Sequence, residues 1–422
     1  MTAKHVVIVG GGFAGINAAK GLGNKKGVTV TLIDRRNHHL FQPLLYQVAM
    51  AALSPADIAA PIRSIVSGYK NVEVKLGNVT GIDFSEKKVK GDFGEEAYDH
   101  LILACGANHS YFGHDNWEEN APGLKSLEEA LEIRRRVLLA YEQAEREKDA
   151  EIQKQLLTFV VIGAGPTGVE LAGALGEISR YTLNRDFRHI DPARTRVILI
   201  EGGPRVLPTF SPKMSAQAAR MLEGLGVTIW TSSIVTDVKT DGVAIGAEFI
   251  RTKNVLWAAG VQPSEINRNS GLELDRAGRI VVESDLTLKD HPDVLVLGDQ
   301  AHFKGPGGNP LPGLCPVAIQ QGKFAAENIL REAGGKPRRP FKYLDKGIMA
   351  TIGRGNAVVE TAGLKFGGFV AWLAWLFVHI FYLIGFKNRL IVFIQWAWSY
   401  FTLSRGARLI TNRTWRSHEK KT

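Results

Sequence analysis

At 422 residues the chain is too long for one small hydrophobic core and long enough for two nucleotide-sized domains with an appendage. With 45% hydrophobic and 22% charged residues it is neither disordered nor collagen-like, and its two cysteines, Cys105 and Cys315, exclude a disulfide framework and a Cys-x-x-Cys redox pair. The net charge of +10 gathers at one end: from Thr361 onward nine basic residues, among them Arg413, Arg416, Lys420 and Lys421, face Glu419 alone, a distribution suited to an anionic surface.

The first residues run directly into the strand-like Val6–Val9, with neither the apolar region nor the cleavage site of a secretion signal. Gly10-Gly11-Gly12-Phe13-Ala14-Gly15 follows and opens a helix, and a second strand, Val28–Ile33, closes on Asp34. In such a unit Gly10 permits the tight turn, Gly12 lets backbone approach a pyrophosphate, Gly15 lets the helix pack on the strand, and Asp34 accepts from ribose hydroxyls. The helix N-terminus directs its partial positive charge at the phosphates.

After the strand and turn Leu101–Gly106 comes a charged helical segment, Ser126–Leu156. Leu127, Leu131, Leu138 and Tyr141 are expected to form its packed stripe, and its Glu, Arg and Lys residues a solvated face. Thr158–Ile162 then begins a second copy of the first pattern, with Gly163-Ala164-Gly165-Pro166-Thr167-Gly168 and Glu201 ending the next strand. The gap to Glu201 exceeds the usual ~20 residues, which implies an extended helix and loop through Asp191-Pro192. Glu201 repels a 2′-phosphate, so NADH is expected over NADPH, with Arg205 as the nearby opposing charge. Val294–Leu297 reads as a strand returning to the first domain, Pro316 as the first turn of a helix to about Leu330, and Pro337–Pro340 as a linker.

Phe366–Phe386 carries no formal charge if His379 is neutral, and is long enough to span a bilayer. Lys387-Asn388-Arg389 interrupts it before Leu390–Leu403, which is too short to span. On a helix Asn388, Gln395, Ser399 and Thr402 share a narrow face, leaving a broad apolar surface with tryptophans and a basic flank. A helix lying in the headgroup boundary is the preferred reading, against a single span, a buried core or a homodimer interface. The same neighbours make an anionic bilayer, and not nucleic acid, the partner of the basic tail.

From Val6 to about Leu330 the chain resembles the two-dinucleotide-binding flavoproteins: Leu103-Ala104-Cys105-Gly106-Ala107 matches their strand-and-turn signature, and Asp293–Asp299 their second FAD signature, in which Asp299 would hold the ribityl chain. Arg36-Asn37-His38-His39-Leu40-Phe41-Gln42-Pro43-Leu44-Leu45-Tyr46-Gln47-Val48-Ala49 resembles the flavin-flanking segment of type II NADH:quinone oxidoreductases, and Ala318-Ile319-Gln320-Gln321-Gly322 their quinone-side motif, although Cys315-Pro316 stands where an Ala-Gln pair is frequent.

The resemblance implies an α/β fold of two Rossmann-like domains with a C-terminal amphipathic helical anchor: FAD on residues 1–115 and 286–340, NADH on 116–285, membrane on 341–422. It implies FAD contacts at Pro43 and Gly106, a role for Glu170 in orienting nicotinamide or moving protons, and quinone contacts at Gln320 and Gln321. The implied reaction passes a hydride from NADH to FAD and two electrons to a membrane quinone without proton pumping, at the cytoplasmic face of the inner membrane. Two other readings stay open: a sulfide:quinone oxidoreductase-like enzyme, which needs redox cysteines beside the flavin, and a non-catalytic NADH-responsive flavoprotein. Adjacent His38 and His39 lack further ligands, and no metal is expected.

Overall fold

The computed structural model describes residues 3–184, 186–305, 307–361, 363–402 and 405–411. Arg413, Arg416, Lys420 and Lys421 lie outside them. The principal helices are α1 (Phe13–Leu22), α2 (Leu45–Ala49), α3 (Leu127–Arg146), α4 (Pro166–Glu177), α5 (Pro212–Gly224), α6 (Cys315–Ala333), α7 (Phe369–Tyr382) and α8 (Phe386–Thr402).

Two compact units are present. The first comprises Met1–Leu40, Ala59–Asn108 and Val261–Lys346; the second comprises Phe41–Ile58, His109–Gly260 and Gly347–Thr422. Residues 41–58 fall in the second unit because α2 packs on α3 and α4.

The first unit is built on five parallel strands in the order Val294–Val296, His100–Leu103, Lys4–Val9, Val28–Asp34, Val72–Leu76. Its inner strands are continuous β-branched and Leu-rich runs because helices cover a parallel sheet on both faces. Val294–Val296 pairs with Leu101–Leu103 and so returns the chain to the first sheet. Helix α6 lies tightly on α1: a Cβ at Gly322 would stand 2.2 Å from the Ala14 carbonyl oxygen, and one at Gly21 would stand 2.6 Å from the Ala326 methyl.

The second unit repeats the plan with parallel strands Val227–Trp230, Arg196–Ile200, Thr158–Ile162 and Asn254–Trp257. The charged segment 126–156 is two helices. Ser126 caps α3 with a reciprocal capping box to Glu129, and Asp149 starts Ala150–Leu156. The buried stripe of α3 is Ala130, Ile133, Val137, Leu138, Tyr141 and Ala144, with Leu127 and Leu131 only half-buried. Arg134 departs from the expected solvated face: it is 5% exposed and donates to the carbonyls of Val48 (2.8 Å) and Leu53 (2.7 Å).

The apolar run 366–386 is not one helix. Its first three residues finish the antiparallel strand Leu364–Gly368, and Gly368 (φ +82°) and Gly385 (φ +89°) break the backbone before α7 and before α8. Among the described residues no helix is long and apolar enough to cross a membrane. The faces of α8 are inverted relative to a water-soluble helix. Asn388 donates to the Ala56 carbonyl, Trp396 to Gln47, and Val392 is buried, whereas Phe386, Leu390, Phe393, Ile394, Trp398 and Phe401 face outward. Thr402 leaves the expected polar face; it is exposed and bonds back to the Trp398 carbonyl. Helix α7 likewise turns Ala371 and Trp375 inward and Phe369, Val370, Phe377 and Phe381 outward.

Candidate functional site

The two glycine loops are built alike, and sterics sort their glycines into two kinds. Gly10 (φ +106°) and Gly163 (φ +96°) adopt left-handed backbone, and a Cβ there would stand 2.3 Å from the Ala104 oxygen and 2.6 Å from the Ala259 nitrogen. A Cβ at Gly15 or Gly168 would stand 1.8 Å from the oxygen of its own loop's first glycine. These four are required by the turn and by helix–strand packing. Gly12 and Gly165 are not: the nearest atom to a Gly12 Cβ is 4.0 Å away, and Gly165 has nothing within 4 Å. Each is the N-cap of its helix, without a side-chain cap or an acidic residue in the first turn. Open space in front of uncapped N–H groups is what a pyrophosphate requires.

The strand-end acids brace the loops. Asp34 accepts from Gly11 N–H at 2.5 Å and from Arg36 N–H at 2.7 Å; Glu201 accepts from Ala164 N–H at 2.7 Å and from Gly203 N–H at 2.8 Å. The acid stands 23 residues beyond its loop partner Gly11 in the first unit and 37 beyond Ala164 in the second. The π-helical turn Ile178–Thr182 and the 3-10 turn Pro192–Arg194 account for the longer interval. Arg205 donates to the Pro208 carbonyl at 2.8 Å.

His39 ties itself to the first loop: buried, with Nδ1 2.9 Å from the Gly11 oxygen, it is pushed down to about 4 by desolvation and is neutral. As the neutral tautomer it donates from Nδ1, and its ring meets Phe13 edge-on at 5.0 Å. His39 therefore shapes the loop.

Asp299 follows Gly298 (φ +73°), and a Cβ at Gly313 would press on its carboxylate at 3.2 Å. Gln321, 1% exposed, accepts from Gly298 N–H at 2.7 Å. Gln320 donates to the Leu344 carbonyl at 2.9 Å and accepts from Leu344 N–H at 3.0 Å. Both amides expected to meet quinone thus already have backbone partners. Gly106 (φ +69°) turns the chain and accepts from Ser264 N–H at 3.3 Å. Neither cysteine is in a disulfide, and burial pushes the Cys105 thiol up to about 12, well away from a reactive thiolate.

In the second unit Pro43 lies in the turn Gln42–Leu44 that leads into α2. Glu170 on α4 is half-buried; desolvation lifts its carboxyl to about 8, and a bond from Thr351 N–H offsets only part of that rise. Helix α4 also lies close to the Gly353 backbone at Gly173, where a Cβ would stand 3.1 Å from the Gly353 nitrogen. Burial, with the Glu170 carboxyl nearby, also holds the Tyr46 phenol well above its usual range. From Tyr46 a chain of bonds leads outward: Gln47 donates to the Tyr46 hydroxyl at 2.9 Å, and the Trp396 indole donates to Gln47 at 2.7 Å.

The segment after α2 is pinned from several elements. Arg134 holds the Val48 and Leu53 carbonyls, and Arg405 (6% exposed) holds the Met50 carbonyl at 2.8 Å and pairs with Glu177 at 3.4 Å. Ala407 N–H donates to the Ala51 oxygen at 3.3 Å. Between these anchors Ala51 sits at φ +57°, a conformation that costs an alanine about 1–2 kcal/mol and persists only where its surroundings impose it. Tyr46, Gln47, Met50, Trp375, Trp396 and Arg405 help to enclose a cavity of about 80 Å³. That is room for a few waters and too little for a drug-sized ligand.

This architecture, two dinucleotide-type loops with an acid behind each, is that of the pyridine nucleotide-disulphide oxidoreductase family, whose sequence model matches residues 4–322. The type II NADH:quinone oxidoreductase Ndh of Mycobacterium tuberculosis is 45% identical over 97% of this chain and 90% of its own length. The type II NADH:quinone oxidoreductase of Staphylococcus haemolyticus is 30% identical over 84% and 89%. Among solved structures, NDH2 from Plasmodium falciparum in complex with NADH superposes with a TM-score of 0.88 at 19% identity, covering 97% of this chain and all of that one, which speaks for the fold. The chain belongs to the pyridine nucleotide-disulphide oxidoreductase family and, within it, to the type II NADH:quinone oxidoreductases.

Proposed function

We propose that the chain is an NADH:quinone oxidoreductase that carries FAD in its first unit and binds NADH in its second, and that it works on a membrane surface without pumping protons. The observation that carries this reading is the pair of matched loops, each with an unobstructed middle glycine at an uncapped helix start. FAD, when bound, accepts a hydride from NADH and passes two electrons to a quinone.

The chain's own residues orient and protonate. Gly12, Phe13 and Ala14 offer backbone N–H groups to the FAD pyrophosphate, with Asp34 for the ribose and Asp299 for the ribityl chain, while Gly10 and Gly15 set the turn. Gly165 does the same for NADH, with Glu201 for its ribose. Gln321 acts by fixing Gly298 beside Asp299, a positioning role, and Gln320 reaches a quinone oxygen by exchanging its Leu344 partner. Glu170 is protonated at neutral pH and serves as a proton store beside Tyr46. The functional division runs 1–115 with 286–340, 116–285 and 341–422.

Anaerobic stopped-flow absorbance tests this directly. NADH is expected to bleach the flavin and a short-chain quinone to restore it; bleaching without recovery would direct the search to another acceptor. Glu201→Gln is expected to raise the NADPH to NADH ratio in kcat/KM about tenfold, equivalent to ~1.4 kcal/mol of relieved repulsion. An unchanged ratio would remove Glu201 from that role.

Membrane attachment is proposed from the outward apolar faces of α7 and α8, in which Phe377 is 66% and Phe401 83% exposed. Each such side chain contributes about 1.5–3 kcal/mol when it leaves water. Phe377→Glu with Phe393→Glu is therefore expected to lower co-sedimentation with lipid vesicles more than tenfold while thermal unfolding stays cooperative. Undiminished binding would contradict the attachment. Attachment at the cytoplasmic face belongs to the same proposal and is supported by the resemblance to the type II NADH:quinone oxidoreductases.

A further inference from the structure

Between the end of α4, α5 and the turn that joins the antiparallel strands Ile348–Thr351 and Ala357–Thr361 lies a cavity of about 550 Å³, walled by Glu177, Tyr181, Gln217, Arg220, Arg354 and Asn356. Its lining is rich in donors: two guanidiniums, two amides and a phenol. Its one carboxylate, Glu177, is already paired with Arg405 at 3.4 Å, so the wall as a whole is cationic. Arg220 is exposed and makes no ion pair among the described residues. Arg354 is held in place, donating to the Tyr400 carbonyl at 2.6 Å with its guanidinium carbon 5.2 Å above the Tyr400 ring.

The cationic wall runs without a break into the apolar surface. Tyr400 stacks on Trp372 at 5.5 Å, Trp372 stacks on Phe369 at 5.7 Å, and Phe369 is open to the outside on α7. A ligand matching both halves has a single anionic head and hydrocarbon chains. A free phosphate or a nucleotide would use the arginines and leave the aromatic margin without a purpose. We propose that this cavity is the headgroup site of one anionic phospholipid, its phosphodiester between Arg220 and Arg354 and its acyl chains along the outward faces of α7 and α8. The proposal rests on the membrane attachment described above, and it adds a stoichiometric, charge-selected lipid to what would otherwise be diffuse attraction.

The test is native mass spectrometry of the full chain with its flavin, released from micelles doped with phosphatidylglycerol or with phosphatidylcholine. One phosphatidylglycerol per chain is expected to be retained in preference to phosphatidylcholine. Arg220→Gln should lower the retained fraction about fivefold, the effect of one basic group at an anionic surface. Lys387→Gln, which removes an equal exposed charge outside the cavity, should leave it unchanged. Equal retention of the two lipids, full retention by Arg220→Gln, or an equal loss in Lys387→Gln would overturn the proposal. So would saturable binding of inorganic phosphate, measured by calorimetry and lost in Arg220→Gln, because the site would then belong to the free ion. Vesicle co-sedimentation separates the two layers. A wild-type chain that ignores phosphatidylglycerol vesicles refutes the attachment itself, whereas one that sediments with them but carries no bound lipid refutes only the cavity.

Discussion

Replacing Glu170 with glutamine is expected to slow flavin reoxidation by quinone about 100-fold while leaving flavin reduction by NADH within about twofold, the effect of losing a positioned proton donor. With its carboxyl lifted to about 8 by burial, Glu170 holds its proton at pH 7 and gives it up as pH rises through that range. Wild-type reoxidation should therefore decline through about pH 8, and the decline should vanish in Glu170→Gln. An alkaline decline that survives in the variant would assign it to another group.

The same shift has a thermodynamic counterpart. Between the ordinary value of 4.5 and about 8 the folded chain keeps a proton that the unfolded chain has released. Stability attributable to this group is thus fully present below 4.5 and is lost as pH rises to 8, on the order of 5 kcal/mol in total. Glu170→Gln should accordingly gain on wild type in Tm as pH is raised, by about 5 °C between pH 5 and pH 9.

The second large effect is expected at Arg405. Arg405→Met leaves the Glu177 carboxylate without its partner and the Met50 carbonyl without its donor, a loss of about 3–5 kcal/mol. Amide hydrogen exchange in residues 46–53 should quicken with it, because the left-handed Ala51 depends on these anchors. Adding Glu177→Gln removes the stranded charge and should recover a large part of the loss. A double variant no more stable than Arg405→Met alone would show that the ion pair is not what matters.

The fold and the dinucleotide loops were legible because their signals are local. A strand, glycines at fixed offsets, a helix and a strand-end acid all fall within a few dozen residues, and the steric roles of Gly10, Gly15, Gly163 and Gly168 follow from their spacing. What could not be read joins distant parts of the chain through backbone carbonyls, which carry no sequence signature. Arg134-Arg135-Arg136 looks like a charged surface run, yet the helix rotates each residue by about 100°, so Arg135 and Arg136 meet Glu132 while Arg134 turns inward to Val48 and Leu53. The backbone partners of the quinone-side glutamines were equally illegible, because nothing local announces Gly298 or Leu344 beside Gln321 and Gln320. The apolar run 366–386 looked long enough to span because hydropathy does not register the positive-φ glycines that divide it.

The pinned segment after α2 also has a consequence for how the protein is made. Gln47 meets Trp396 across 349 residues and Met50 meets Arg405 across 355. At a synthesis rate of roughly 5–20 residues per second, a stretch that leaves the ribosome early waits roughly 20–70 s for its last anchors. During that interval Ala51 has little to hold it left-handed. The nascent chain can complete its first glycine loop, but the surroundings of Tyr46 are finished only when translation is nearly over, so a message truncated by even a few codons before Arg405 would yield a chain with both nucleotide loops and an unset core beside α2.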